Sequence, residues 1–196
     1  MVHGFLIHSL SPGPCRVLFS STFIHETLPD GQHLTVQDER ERRKLQLLQV
    51  AQRVQSEYSF QYVASASSIS SAGDMSGLLS TEELLSHLKA GVFRLPCGNP
   101  FKVERVVLWR GLANSGFALI CEKDENRLVA ENILNLIIRH LQEYCQIILQ
   151  PSEAILKADK VTAIIHHFLP EGQLLFMNNR FLRQVEKDLE QVMNTK

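Results

Sequence analysis

The spacing of apolar residues changes several times along the chain, and each change predicts an element. Val2 to Leu10 is apolar and rich in β-formers, Ser11-Pro12-Gly13-Pro14 breaks the run, and Cys15 to Ile24 resumes it. This predicts a β-hairpin from residue 2, its first strand tied into a sheet because a loose terminus frays. After Pro29-Asp30-Gly31 the period becomes helical: Leu47, Ala51, Val54 and Tyr58 recur within a segment rich in Glu, Arg, Lys and Gln from Asp38 onward. An amphipathic helix with one buried stripe has this pattern. The alternating signs of Asp38-Glu39-Arg40-Glu41-Arg42-Arg43-Lys44 are those of a solvated helix face rather than a basic patch.

From Ala64 to Gly77 the chain is Ser, Ala and Gly with little to bury, so a flexible exposed loop is expected over about 64–80. Ser80-Thr81-Glu82-Glu83 then offers an N-cap with an acid three residues on, followed by Leu84, Leu85 and Leu88, which predicts one or two helical turns. Val92 to Leu95 is a short strand ended by Pro96-Cys97-Gly98-Asn99-Pro100. Arg105 to Leu112 and Gly116 to Lys123 form a second hairpin across Ala113-Asn114-Ser115. The near-continuous apolarity of Gly116 to Cys121 suits a central strand covered on both faces.

Helices supply that cover. Ile133, Leu136, Ile137, Leu141 and Tyr144 mark a long one. Another is expected from Pro151-Ser152, with Ser152 as N-cap, burying Ala154, Ile155, Ala158, Val161, Ile165 and Phe168 and stopping at Pro170-Glu171-Gly172. Leu174 to Met177 is an apolar connector, Asn178 or Asn179 caps the last helix, and Phe181, Val185, Leu189 and Val192 form its stripe. The predicted order is ββα, a loop, βββ, then ααα.

The chain of 196 residues suits one domain with a sizeable core; 44% hydrophobic and 21% charged residues exclude wholesale disorder. A formal charge of -1 gives no general attraction to nucleic acid or anionic lipid. Cys15, Cys97, Cys121 and Cys145 form no C-x-x-C pair or zinc spacing and are read as reduced core thiols. The N-terminal segment lacks signal-peptide features and no apolar run reaches the ~18 residues of a membrane span, so a cytoplasmic protein is expected.

Catalytic signatures are missing: there is no G-x-S-x-G, P-loop, G-x-G-x-x-G, H-E-x-x-H or EF-hand loop. His166 and His167 point about 100° apart on a helix, with no third ligand at i+4. His3 and His8 are five positions apart on a strand and are expected on opposite faces, at surface or edge positions. Ser20, Ser21 and His25 lack an oriented base and an oxyanion hole. Asp74-Met75-Ser76-Gly77-Leu78-Leu79 matches an acidic dileucine signal, a pattern short enough to arise by chance. Trp109 and Phe117, aromatics on strands, are expected in the core. The expectation is a protein without catalytic activity, cofactor or metal.

The element order resembles the longin-type fold shared by adaptor sigma subunits, mu-subunit N-terminal domains and longin SNAREs. More specifically, Ala130 to Ile137, Leu156 to Lys160 and Phe168 to Asn178 resemble the sigma-subunit family of the fifth adaptor-protein complex, as do Val2 to His8 and Cys15 to Leu18. The similarity covers nearly the whole chain and weakens mainly across residues 26 to 90. It implies a single α/β (α+β) domain over 1–196: a longin-like five-stranded antiparallel sheet flanked by helices. It further implies a non-catalytic small subunit of a heterotetrameric vesicle-coat adaptor, with a large zeta-type chain and beta- and mu-type chains. Spatacsin and spastizin, peripheral residence on late endosomes and lysosomes through the complex, and retrieval of cargo toward the Golgi are implied as well. In better-known sigma subunits an apolar pocket holds dileucine signals, and the corresponding surface here is Phe117, Leu119, Ile138 and Ile147. The alternative is a regulatory longin module in SNARE or small-GTPase control; a longin SNARE is expected to continue into a heptad helix and an anchor, whereas Lys196 follows the last short helix.

Overall fold

The computed structural model describes residues 1–24, 35–66, 80–176 and 178–194. Strand β1 (Val2–Ser9) forms a hairpin with β2 (Val17–Thr22), pairing Gly4 with Thr22 and Ile7 with Phe19. Strands β3 (Lys89–Leu95), β4 (Arg105–Leu112) and β5 (Ser115–Glu122) form a meander. The two units join where β1 meets β5, Phe5 opposite Leu119 and Ile7 opposite Phe117. The result is one antiparallel sheet in the order β2-β1-β5-β4-β3, flanked by helices as the resemblance implies.

Strands β1 and β5 are apolar on successive residues because each face of the sheet has its own helical cover. Phe5, Ile7, Phe117 and Leu119 enter a core shared with α3 (Arg127–Cys145), α5 (Ala158–Phe168) and α6 (Asn179–Asn194). Leu6, Ala118, Ile120, Val107 and Trp109 enter a second core under α1 (Val36–Ala66), where the predicted stripe of Leu47, Ala51, Val54 and Tyr58 is joined by Val50. Each large side chain sealed in either core contributes about 1.5–3 kcal/mol. Polar side chains fix α1 over edge strand β3: Trp109 Nε1 donates to Glu57 at 3.0 Å, Arg53 donates to the Arg94 carbonyl at 3.2 Å, and Gln61 donates to the Ala90 carbonyl at 3.1 Å.

An extra residue in β1 changes the expected placement of two histidines. Val2 pairs with Cys121 but Gly4 pairs with Ile120, so His3 sits in a β-bulge and the in/out alternation slips there by one position. His3 and His8 therefore share the α1 face, and both are buried rather than at the surface. The His3 ring meets Phe101 edge-on at 4.8 Å. The His8 ring fills the space over Gly116, where even a Cβ would come within 2.5 Å of it.

Helix α1 runs through Ala66, three residues into the expected loop; the rest of that loop up to residue 79, with the Asp74–Leu79 pattern, lies outside the described residues. Helix α2 (Thr81–Ser86) starts with the predicted capping box: Ser80 Oγ accepts from the Glu83 amide, and the Glu83 carboxylate accepts from the Ser80 amide at 2.7 Å. Ser80→Ala is expected to cost about 1 kcal/mol in urea denaturation, and Ser80→Asn, which keeps an acceptor, only a small part of that. Equal losses for the two variants would show that the cap contributes nothing.

The helix expected from Ser152 is broken. Lys157 adopts φ -112 and ψ 34, separating α4 (Glu153–Leu156) from α5, while Ser152 is itself helical and caps nothing with its side chain. The phase shift at Lys157 keeps Ala154 inside but turns Ile155 and Leu156 to solvent, correcting the predicted burial of Ile155. In α6, Asn178 is the cap, accepting from the Phe181 amide at 2.8 Å. Val185 and Leu189 go inward, whereas Phe181 and Val192 stay exposed at the ends of the stripe.

Candidate interaction surfaces

Among the described residues no group of three or more His, Cys, Asp or Glu could hold a metal ion, and no helix is long and apolar enough to cross a membrane. His166 and His167 have rings 88° apart, and His167 Nδ1 is occupied with the Ala163 carbonyl at 2.7 Å. Of the Ser20, Ser21 and His25 group, His25 lies outside the described residues. All four cysteines are free thiols. Cys121 and Cys145 are in the core, and burial pushes the Cys121 thiol up to about 12. Cys15 is half-buried. Cys97 is exposed in the turn after β3 and donates to the Lys102 carbonyl at 2.6 Å, so two of the four depart from the core placement expected.

The four residues singled out as an apolar surface come together in space but face inward. Phe117 and Leu119 on β5, Ile138 on α3 and Ile147 just after it each have 0% exposure and belong to one core. The local geometry holds them there. Gln146 ends α3 in the left-handed conformation (φ 60), which folds Ile147 and Ile148 back under the helix. Ser115 Oγ donates to the Ile147 carbonyl at 2.6 Å, and Gln142 accepts from the Ile148 amide at 3.0 Å. A peptide reaches these side chains only if that turn leaves the sheet. Ser115 and Gln142 are the polar residues that secure it.

Beside this core, α2 and α3 flank an open cleft of about 660 Å³ that the hydrophobic pattern does not reveal. Leu85, Leu88 and Leu136 supply its apolar lining, and Arg110 and Arg139 its charge. Both cations already have partners, since Arg139 pairs with Glu82 at 2.9 Å and Arg110 donates to Asn135 at 3.0 Å. The sequence signal for it is the i, i+4 placement of Asn135 and Arg139 on the helix face away from Ile133 and Ile137.

Other apolar side chains are left uncovered. Phe60 and Val63 at the C-terminal end of α1 are 76% and 71% exposed, and Ile155 and Leu156 on α4 are 59% and 75% exposed. Phe60 lies two residues past the buried Tyr58, about 200° around the helix, so the period that predicts the buried stripe also places Phe60 outside. Exposed apolar residues grouped on one face mark contact with another molecule more often than scattered ones do.

Comparison with known proteins bears on what that contact is. The family model described as AP-5 complex subunit sigma-1 matches residues 1–190. A human protein named AP-5 complex subunit sigma-1 is 39% identical over 197 residues, spanning 96% of each chain. A mouse protein of the same name is 38% identical over 157 residues, 76% of this chain and 90% of that protein.

Proposed function

The chain belongs to the sigma-1 subunit family of the AP-5 adaptor complex, and from that membership we propose that its work is assembly. As in the rest of its family, it is a non-catalytic small subunit of an adaptor complex. Its partners in our reading are a large zeta-type chain with beta- and mu-type chains in a heterotetramer, working with spatacsin and spastizin. The complex would reside at the cytoplasmic face of late endosomes and lysosomes and retrieve cargo toward the Golgi, this subunit reaching the membrane through its partners.

The observation that carries the proposal is the match along nearly the whole chain, both strand pairs and the C-terminal helices included. Exposed apolar side chains on α1 and α4 support it, since a subunit built for burial against larger chains keeps such residues. Peptide capture by Phe117, Leu119, Ile138 and Ile147 is the less economical reading, because it requires the Ile147–Ile148 turn to open first.

Affinity purification of the tagged chain from cells should recover zeta-, beta- and mu-type adaptor chains in near-equal amounts. Recovery of the chain alone, as a monodisperse monomer with no affinity for the zeta-type chain, would remove the basis of the proposal.

A further inference from the structure

We propose that the outward face of α1 is a docking seam, along which an uncharged face of one α-helix from another chain of the adaptor complex packs lengthwise. Leu45, Gln49, Gln52, Ser56, Phe60 and Val63 are all exposed. At about 100° per residue they fall within roughly 40° of one line on the helix, opposite the buried stripe. The line covers about 27 Å, or five turns, without one charge.

A helix face that meets only water has a different composition. The first turns of α1 show it: the exposed residues Asp38, Glu39, Arg40, Glu41 and Lys44 are all charged. Beyond Leu45 the described part of the helix carries two charges, Arg53 and Glu57, and both are engaged beside the seam. Arg53 lies over the Phe93 ring at 4.2 Å, and Glu57 accepts from Trp109 Nε1. Leu45, Phe60 and Val63 are 61%, 76% and 71% exposed, so apolar side chains stand at both ends of the line with two amides and a hydroxyl between them.

The successive spacings of 4, 3, 4, 4 and 3 residues are those at which one helix interlocks with another along its length. A pocket for a small ligand does not extend over five turns in a straight line. An anionic lipid surface would select several Lys and Arg at the rim of such a face, whereas beyond Leu45 the described helix has one, Arg53, engaged with the Phe93 ring and the Arg94 carbonyl. Charge complementarity therefore specifies the occupant as a helix with a neutral contact face, with groups able to hydrogen-bond the Gln49 and Gln52 amides, the Ser56 hydroxyl being already bonded to the Gln52 carbonyl. The identity of the partner as a chain of the same complex rests on the adaptor reading above.

The test uses the assembled complex. The double variant Ser56→Glu/Phe60→Glu places two charges on the seam at exposed positions outside both cores, where the Ser56 hydroxyl makes only a bond to the Gln52 carbonyl of its own helix. It should lower recovery of the other adaptor chains by about tenfold or more, while its thermal midpoint stays within about 2 °C of the wild type. A photo-crosslinking residue at Gln52 should form an adduct with another adaptor chain, and the same residue at Lys187 on α6 should not form that adduct. Undiminished recovery of the double variant overturns the seam. A Gln52 adduct with a second copy of this chain overturns the choice of occupant. Wild-type protein that recovers no adaptor chain overturns the adaptor reading, an outcome distinct from the other two because it appears before any variant is made.

Discussion

Phe117→Ala is expected to destabilise the fold by about 3–5 kcal/mol, the range for emptying a fully packed aromatic site. Phe117 lies on β5, paired with Ile7 on one side and Arg110 on the other, and has no exposed surface. Neighbours from β1, α3 and α5 hold the cavity walls in place, so collapse recovers little of the lost contact. In a domain of this size the melting temperature should fall by about 6–20 °C, measured on the chain in whichever assembly it is purified. Phe176→Ala is the matched control: the same deletion at a side chain 85% exposed and away from the α1 seam should change stability by no more than about 0.5 kcal/mol. A loss below about 1 kcal/mol for Phe117→Ala would mean that β5 is not the covered central strand described above.

Acid should weaken the fold through His8. The ring has no exposed surface, Nδ1 lies 3.2 Å from the Ser9 carbonyl and 3.9 Å from Cys15 Sγ, and no hydrogen-bond partner reaches Nε2. Burial therefore penalises the imidazolium and lowers the pKa from 6.5 to about 4, the Ser9 contact opposing it only in part. The unfolded chain then takes up the proton before the folded one. The contribution of the neutral ring is complete above about pH 6.5, declines as the pH falls toward 4, and amounts to about 3 kcal/mol across that interval.

Asp38, held low by Thr35, and Glu125, held low by the Met1 ammonium, lose their contributions only below their ordinary values of 3.8 and 4.5. The interval between pH 4.5 and 6.5 is therefore where the His8 effect should be read against theirs. Urea denaturation at pH 7 and pH 5 should show the decline in the wild type and a much flatter profile in His8→Phe. Parallel profiles for the two proteins would show that the ring is not sealed.

The regular parts of the fold were legible because their burial is periodic. The apolar run of Gly116 to Cys121 announced a strand covered on both faces, and Leu47, Ala51, Val54 and Tyr58 announced the buried side of α1. What escaped depends on single-residue departures from regularity. A one-residue bulge at His3 brings two histidines to one face, and no propensity marks such a bulge. The break at Lys157 exposes Ile155, although the residues on either side of it are ordinary helix formers.

The apolar site was legible as a location and not as a surface. Phe117, Leu119, Ile138 and Ile147 do converge, but the turn that seals them depends on a left-handed Gln146 and on bonds from Ser115 and Gln142. The Ser115 bond joins residues 32 apart in the chain, and local spacing cannot show it. The seam on α1 is written in the sequence, since it is the complement of the buried stripe and needs only the same helical period.

The pairing of β1 with β5 also governs how the chain must be made. Phe5 finds Leu119 only after more than a hundred further residues have been added, which at about 5–20 residues per second takes about 5–20 s of synthesis. During that time the hairpin has an open β1 edge, and although α1 is made early enough to cover Leu6, the helices that cover Phe5 and Ile7 come later even than β5. The open edge of β1 is closed once β5 has emerged, and the apolar face of the hairpin is covered only when the last third of the chain has followed.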